Sequence, residues 1–192
     1  MRPSFYFAAL LFTAPAAPAA NLADSAQQGD IEVAVALDSG EQSGSASASV
    51  RIQASRQVVW SLITSCGEEL RLVPGLLVCE VMETAADRSW QQIRQVMDYS
   101  WYMPKLSYVI HASYDPPSRV SIDRVSGDLL RLRGSWVLQS DGNFTIAHYA
   151  VDLEPGFWVP HWIERAALKR DLPKMLRALR TRAEFVQQQK RE

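Results

Sequence analysis

The sequence contains little that signals catalysis or metal binding. Its 192 residues include only two cysteines and three histidines, too few for a cysteine-rich zinc site. Patterns of the G-x-S-x-G, H-E-x-x-H, P-loop and G-x-G-x-x-G types are missing, and these mark hydrolases, metalloproteases and nucleotide-binding enzymes. We therefore predict no catalytic residue, no metal and no cofactor.

Excess charge is also missing. The formal net charge is −1, whereas a dedicated nucleic-acid binder normally carries a clear positive excess, so we predict no nucleic-acid partner. The charge is unevenly distributed, because residues 161–192 hold nine of the 20 basic residues and four of the 21 acidic ones. With 47% hydrophobic residues, the chain is long enough for one domain with a sizeable core. We expect a monomer.

Long apolar runs are absent after the first residues of the chain. Arg2 precedes an apolar run from Phe5 to Phe12, which is followed by alanines and prolines. This pattern is typical of a secretory signal peptide, and the run is too short to span a bilayer. We predict a signal peptide at 1–19 and a flexible mature N-terminus at 20–30, in a periplasmic or secreted protein. Cleavage after Ala16 and an uncleaved membrane anchor are the alternatives.

Export bears on how the two cysteines are interpreted. In an oxidising compartment Cys66 and Cys79 can form one disulfide. Closing a loop of about 15 residues contributes roughly 3 kcal/mol to stability. The alternative is two separately buried thiols.

The hydrophobic pattern predicts an α+β domain. Alternation at 31–37 and 50–54 predicts an opening hairpin. Ser55 is a candidate N-cap of a short helix that ends near Gly67 and precedes a second short helical segment. Strands are predicted in the regions 78–83, 89–99, 106–114, 120–125, 132–138 and 145–153. Such close spacing indicates an antiparallel meander.

A long amphipathic helix is predicted after Gly156. Its apolar positions recur at helical spacing and form one stripe: Leu168, Leu172, Met175, Leu179, Ala183 and Val186. Pro173 lies in this segment, so we expect either a kink or a fresh helix capped by Asp171. Packing the stripe across a curved sheet covers both apolar surfaces and leaves space for a cavity.

We expect this cavity to hold an apolar ligand. Its predicted lining is Trp101, Tyr108, Trp136, Tyr149, Trp158, Trp162, Leu168, Leu172 and Met175. Large rings with one polar atom suit such a ligand, and ordinary core packing is the alternative for any single ring. Arg94, Arg124 and Arg131 are candidate anchors for a ligand carbonyl or carboxylate, with a surface position as the alternative.

Two features are candidates for transient contact with a membrane. The segment 157–160 (FWVP) is either a membrane-touching or gating element, or a staple that seats the helix. The basic face of the last helix, from Arg165 to Arg182, is expected to be solvated, and it is able to attract an anionic lipid surface weakly.

Several segments occur in a familiar order and spacing: Ser49–Ala54, Val58–Thr64, Leu72–Leu76, Ser126–Leu129, Gly134–Leu138, Leu153–Pro160, Lys169–Pro173 and Leu176–Arg180. Together they resemble the polyketide cyclase/dehydrase and lipid-transport family of the START-like (SRPBCC) superfamily, and in particular its coenzyme Q-binding START-domain group. The resemblance implies a helix-grip fold, in which a curved antiparallel sheet wraps around a long C-terminal helix and encloses a hydrophobic cavity. It implies a START-like domain at 31–187 and a tail at 188–192.

One position departs from the sequences that this chain resembles. Many of them carry an aspartate soon after the residue equivalent to Thr64, whereas Ser65 and Cys66 stand here. The difference favours a disulfide that is not general in the family.

Three functions follow as hypotheses. The first is an exported carrier of a hydrophobic small molecule, lipid or isoprenoid-like. The second is a polyketide-type cyclase or dehydratase, which requires an acid or base with a perturbed pKa inside the cavity. The third is a protein-interaction module that uses the basic C-terminal helix, for which an exposed apolar patch on that helix is the expected sign.

Overall fold

The computed structural model describes residues 31–37, 44–99 and 104–191. The elements within these ranges are β1 (Glu32–Leu37), β2 (Gly44–Ile52), α1 (Arg56–Ile63), α2 (Cys66–Leu72), β3 (Leu76–Thr84), β4 (Trp90–Met97), β5 (Leu106–Asp115), β6 (Arg119–Gly127), β7 (Leu129–Asp141), β8 (Phe144–Pro155) and α3 (His161–Gln189). The signal peptide predicted at 1–19, the segment 20–30 and Trp101 lie outside the described residues.

The eight strands join one antiparallel sheet, in the order β1-β2-β8-β7-β6-β5-β4-β3. Strands β3 to β8 are sequential neighbours, as expected of a meander, and β2 pairs with β8. Because β2 and β3 lie far apart in the sheet, the connection between them must cross it. Helices α1 and α2 make this crossing, and both contact α3. The predicted helix-grip architecture is confirmed.

The two short helices are set by local sequence. The Oγ of Ser55 accepts a hydrogen bond from the Val58 amide at 3.4 Å, which satisfies one of the free donors at the start of α1. Helix α1 ends at Ile63, earlier than predicted, and α2 begins at Cys66. The break falls there because Ser65 has extended backbone angles, so the chain starts a new helix instead of continuing the first.

Helix α3 continues from His161 to Gln189 with Pro173 inside it. The alternative of a fresh helix capped by Asp171 is wrong, since Asp171 lies within the helix and its carboxylate pairs with Arg170 at 2.8 Å. Proline removes one backbone hydrogen bond, and the burial of Leu172 and Met175 on either side stabilises the helix across that gap. Burying a side chain of this size contributes about 1.5–3 kcal/mol.

The C-terminal half of α3 is tied to the rest of the domain by polar contacts. Arg182 donates two hydrogen bonds to the carboxylate of Glu68 on α2, at 2.7 and 3.0 Å. The backbone amides of Gln53 and Ser55 donate to the side chains of Glu184 and Gln187 at 3.1 and 3.0 Å. These contacts hold α3 against both short helices and the end of β2.

The core lies between α3 and the concave face of the sheet. Side chains from β2, α1, β7 and α3 form its centre, which includes Val50, Ile52, Val59, Leu138, Leu176 and Leu179. The apolar stripe of α3 is therefore largely buried, as predicted. None of the described helices is both long enough and apolar enough to cross a membrane.

One glycine allows two strands to approach closely near the end of this core. Gly127 has a φ of 108°, and a Cβ at this position would collide with the backbone of Ser107 and Tyr108. Glycine alone tolerates both conditions. The Asp128 carboxylate then accepts a hydrogen bond from the Ser107 amide at 2.7 Å, which fixes the turn between β6 and β7 against β5.

Candidate functional site

A cavity of about 220 Å³ lies between the helices and the concave face of the sheet. Most of its lining is apolar and comes from α1, α2, the central strands and α3, including Ile63, Leu72, Met97, Ile110, Ile122, Leu132, Val151, Leu168, Leu172, Met175 and Leu179. A concave, mostly apolar space with a few polar groups is the usual form of a small-molecule site.

The cavity exists partly because β7 lacks a side chain where it faces inward. Alternate residues of a strand point to one face, and Leu132, Gly134 and Trp136 line the cavity from β7. Gly134 contributes no side chain, and a Cβ there would lie 3.5 Å from Ile122, an ordinary contact distance. The wall is therefore recessed at Gly134.

Three tyrosines place hydroxyl-bearing rings in the lining: Tyr99, Tyr108 and Tyr149. The rings of Tyr149 and Trp136 pack with their centroids 4.6 Å apart. Burial raises the pKa of Tyr108 and of Tyr149 well above the ordinary value, so both phenols stay protonated. They are available to a ligand as neutral hydrogen-bonding groups.

The cavity also contains a carboxyl group, that of Glu69 on α2. Gln95 on β4 donates a hydrogen bond from Nε2 to Glu69 Oε2 at 2.9 Å. Burial raises the pKa of Glu69 from 4.5 to about 7, while the hydrogen bond from Gln95 opposes this rise. Glu69 is thus an acid that exchanges its proton near neutral pH.

A disulfide positions Glu69. Cys66, the first residue of α2, is joined to Cys79 on β3, 13 residues along the chain. The bond fastens α2 to the edge of the sheet, and Glu69 lies one turn further along the helix with Oε2 at 3.3 Å from the sulfur of Cys79. Donor atoms of Cys66, Glu69 and Cys79 lie within 4.8 Å of one another, but sulfurs in a disulfide are not the thiolates that bind metals.

The structure brings together six of the residues predicted for the cavity. Tyr108, Trp136, Tyr149, Leu168, Leu172 and Met175 all line it. Trp158 and Trp162 do not, because their side chains are 75% and 73% exposed. They lie at the start of α3 and in the loop before it, where strand alternation does not apply. Val159, between them in sequence, is the buried residue that faces the cavity.

The three predicted arginine anchors lie elsewhere. Arg94 forms an ion pair with Glu80 at 3.5 Å, and Arg131 forms ion pairs with Asp152 and Glu154. Neither arginine is among the cavity-lining residues, and for Arg94 the reason is alternation, since its neighbour Gln95 points inward.

Arg124 likewise stays outside the lining. Its guanidinium donates to the carbonyl of Gly127 at 3.0 Å. The polar residues that do face the cavity, Glu69, Gln95, Tyr99 and Asp171, escaped the sequence prediction. The sequence does contain an indication that Glu69 faces inward. Cys66, Glu69 and Leu72 are spaced three residues apart, so they share one face of α2.

The described histidine side chains lie outside the cavity lining. His148 contacts the Ser49 hydroxyl through Nδ1 at 2.7 Å, and burial lowers the pKa of His148. The His111 ring packs beside Trp90 with centroids 5.0 Å apart. Both histidines point away from the cavity because side chains alternate between the two faces of a strand, His148 on β8 and His111 on β5.

Solved structures share this fold at low sequence identity. A STAR-related lipid transfer protein from Xanthomonas axonopodis superposes with a TM-score of 0.68 at 19% identity, over 79% of this chain and 92% of that one. The aromatase/cyclase Zhui from Streptomyces sp. R1128 gives 0.61 at 14% identity, over 81% and 94%. The human StarD13 lipid transfer and protein localization domain gives 0.65 at 14% identity, over 80% and 84%.

Sequence comparison identifies the family. No curated protein matches the chain. The family described as polyketide cyclase/dehydrase and lipid transport matches residues 52–180, a stretch that runs from the end of β2 through most of α3 and includes all the polar residues of the cavity. The chain therefore belongs to the polyketide cyclase/dehydrase and lipid transport family.

Proposed function

We propose that this protein is an exported, monomeric carrier of a hydrophobic small molecule, lipid or isoprenoid-like. The observation that carries the proposal is the apolar cavity between α3 and the sheet. Burial of apolar ligand surface would drive binding, at about 25 cal/mol per Å² before the cost of ordering the ligand. Solved structures of the same fold include proteins whose names describe lipid transfer, which supports this choice of ligand.

Ligand binding can be tested by filling the cavity at Gly134. We expect organic extracts of natively purified protein to contain a co-purified apolar compound by mass spectrometry. Gly134→Phe should lower its amount at least about tenfold, because the benzyl group occupies space that a ligand needs. Gly134→Ala is the matched control, since a Cβ there makes only ordinary contacts. Equal amounts in both variants, with unchanged melting temperatures, would count against the carrier.

Export is supported by the predicted signal peptide and by the Cys66–Cys79 disulfide, which suits an oxidising compartment. The intact mass of the purified protein reports cleavage before Ala20. Membership of the coenzyme Q-binding group stays a prediction, so an isoprenoid quinone belongs among the candidate ligands.

A transient membrane contact is the second part of the proposal. Leu130 and Trp158 line one shallow surface groove beside Pro155, and Pro155 also lines the cavity. Trp162 follows at the start of α3, and Arg165 and Lys169 are exposed on the same helix. Exposed tryptophans partition to membrane interfaces, and nearby cations favour anionic lipid. This surface, which we name the Trp158 rim, adjoins the cavity.

Vesicle binding tests the rim. Replacing Trp158 and Trp162 together by serine should weaken sedimentation with vesicles of phosphatidylcholine and phosphatidylglycerol about tenfold or more, because exposed ring surface that enters the interface is lost. Phe185→Ser is the matched control, since Phe185 is a half-exposed ring far along α3 that packs against Arg182. An equal loss of vesicle binding in both variants would show that the Trp158 rim is not the membrane-binding surface.

A cyclase or dehydratase is a second candidate, and one observation favours it. Such an enzyme needs an acid or base inside the cavity, and Glu69 has a pKa near neutrality there. Turnover of a polyketide-like carbonyl compound that disappears in Glu69→Gln, while binding persists, would favour the enzyme over the carrier. The interaction module has less support, because the apolar stripe of α3 is largely buried.

A further inference from the structure

The lining of the cavity is unbalanced in charge. Its polar members are Glu69, Gln95, Tyr99, Tyr108, Tyr149 and Asp171, and none of the lining residues that the structure describes is lysine, arginine or histidine. An anionic group that enters the cavity would therefore lose its water and find no cation there. Burying an unpaired charge is far more costly than burying a neutral polar group.

The acid at Asp171 is already paired. Arg170 donates to both carboxylate oxygens of Asp171, at 2.8 and 3.0 Å. Glu69 differs, because its partner is the neutral amide of Gln95. Among the described residues, the contacts that Glu69 makes fall on Oε2, and Oε1 is left as the oxygen that can meet a ligand.

We propose that the Glu69–Gln95 pair binds the polar end of the carried molecule, and that this end is an uncharged hydroxyl or carbonyl group. The inference rests on the carrier function proposed above. A protonated carboxyl donates one hydrogen bond and accepts others, and an amide does both, so the pair matches alcohols, ketones, quinones and esters. Carboxylates, sulfates and phosphates are excluded because the described lining residues supply no cation.

Ammonium groups are disfavoured for a related reason. An ammonium at Glu69 would require a bare ion pair in an apolar cavity, and the desolvation of two ions can exceed their attraction. The described groups that interact with Glu69 are neutral: Gln95 on β4, the disulfide sulfur of Cys79 on β3, and the phenols of Tyr108, Tyr114 and Tyr149. Gln95 donates one hydrogen bond to the carboxylate of Glu69, whereas a stable buried ion pair needs hydrogen bonds that satisfy both of its charged groups.

Probes with one chain length and different ends test this selectivity. The full chain is titrated with 1-dodecanol, methyl dodecanoate, dodecanoate, dodecylamine and dodecane at pH 6, using displacement of the neutral dye Nile red. We expect dodecanol and the ester to bind at least about tenfold more tightly than dodecanoate and dodecylamine, because a buried charged group without partners bears the full cost of its desolvation.

Two variants assign the selectivity to the pair. Glu69→Leu should weaken the binding of dodecanol and of the ester about tenfold and leave the binding of dodecane unchanged. Gln95→Leu should have the same effect, and it serves as a second variant in case the first fails to fold. If dodecanoate or dodecylamine binds as tightly as the ester, the inference is wrong, but the proposed carrier function still stands. An equal change for dodecane and dodecanol in both folded variants also overturns it. If no probe binds the wild type, the carrier function falls and the inference falls with it.

Discussion

Replacing Glu69 by glutamine is expected to remove about 3 kcal/mol of pH dependence from the stability of the fold. The pKa of Glu69 is about 7 in the folded protein against 4.5 for the free side chain, and a pKa difference of one between the folded and unfolded states corresponds to about 1.36 kcal/mol. Because the folded state binds this proton more tightly, the stabilisation is complete below about pH 4.5. It is lost as the pH rises through 7, where the buried group must ionise.

Urea unfolding at pH 5 and pH 8, with the disulfide intact, measures this effect. The wild type should lose free energy of unfolding relative to Glu69→Gln between the two pH values. His148 acts in the opposite direction, since burial lowers its pKa and its destabilising effect at low pH fades as the pH rises. The difference between variant and wild type therefore isolates Glu69. Glu80→Gln, an exposed glutamate on β3, is the control and should follow the wild type; parallel curves for all three proteins would disprove the prediction.

Removal of the Cys66–Cys79 disulfide is the second large effect. The bond joins two cysteines that are 13 positions apart in the chain, and cross-links of this span contribute about 3 kcal/mol by restricting the unfolded chain. The double variant Cys66→Ser, Cys79→Ser should lose about this amount in denaturant unfolding. It should also lose affinity for dodecanol, because the bond fastens α2, and with it Glu69, to the sheet.

A reducing agent supplies the internal control for this prediction. Reductant should lower the stability of the wild type to that of the double variant and should leave the double variant unchanged. A double variant that unfolds at the wild-type denaturant concentration would show that the covalent link adds nothing to the fold.

The fold was accessible from sequence because strand alternation and helical spacing report burial directly. Tyr108, Trp136 and Tyr149 stand at inward positions of regular strands, and the structure places them in the cavity lining. Trp158 and Trp162 have the same chemistry but lie where no periodicity constrains direction. The residue type makes both tryptophans candidates for the cavity lining. Their outward direction is set by the path of the chain into α3, which the sequence pattern does not give.

The polar part of the site was much harder to predict. The chemistry of arginine favours it as an anchor for a ligand carbonyl or carboxylate. The register of β4, however, turns Arg94 outward and Gln95 inward. Glu69 lies on a short helix that a disulfide fastens to the next strand, β3. From the sequence alone, a glutamate between Glu68 and Leu70 is expected at the surface. The bond between Cys66 and Cys79 is what turns its face of the helix toward the sheet.

The polar contacts described above involve the C-terminal half of α3, which we call the far half. The N-terminal half, which we call the near half, is the part that follows the loop at 156–160. Arg182, Glu184 and Gln187 clamp the far half to α1, α2 and the end of β2, while Ala167, Leu168 and Asp171 in the near half border the cavity. Pro173 interrupts the backbone ladder close to the boundary between them. Local opening follows the weakest contacts, so we expect the near half of α3 to open before the far half does. A ligand of the kind proposed here would then reach the cavity past the start of α3, while the packed centre around Leu176 and Leu179 stays closed.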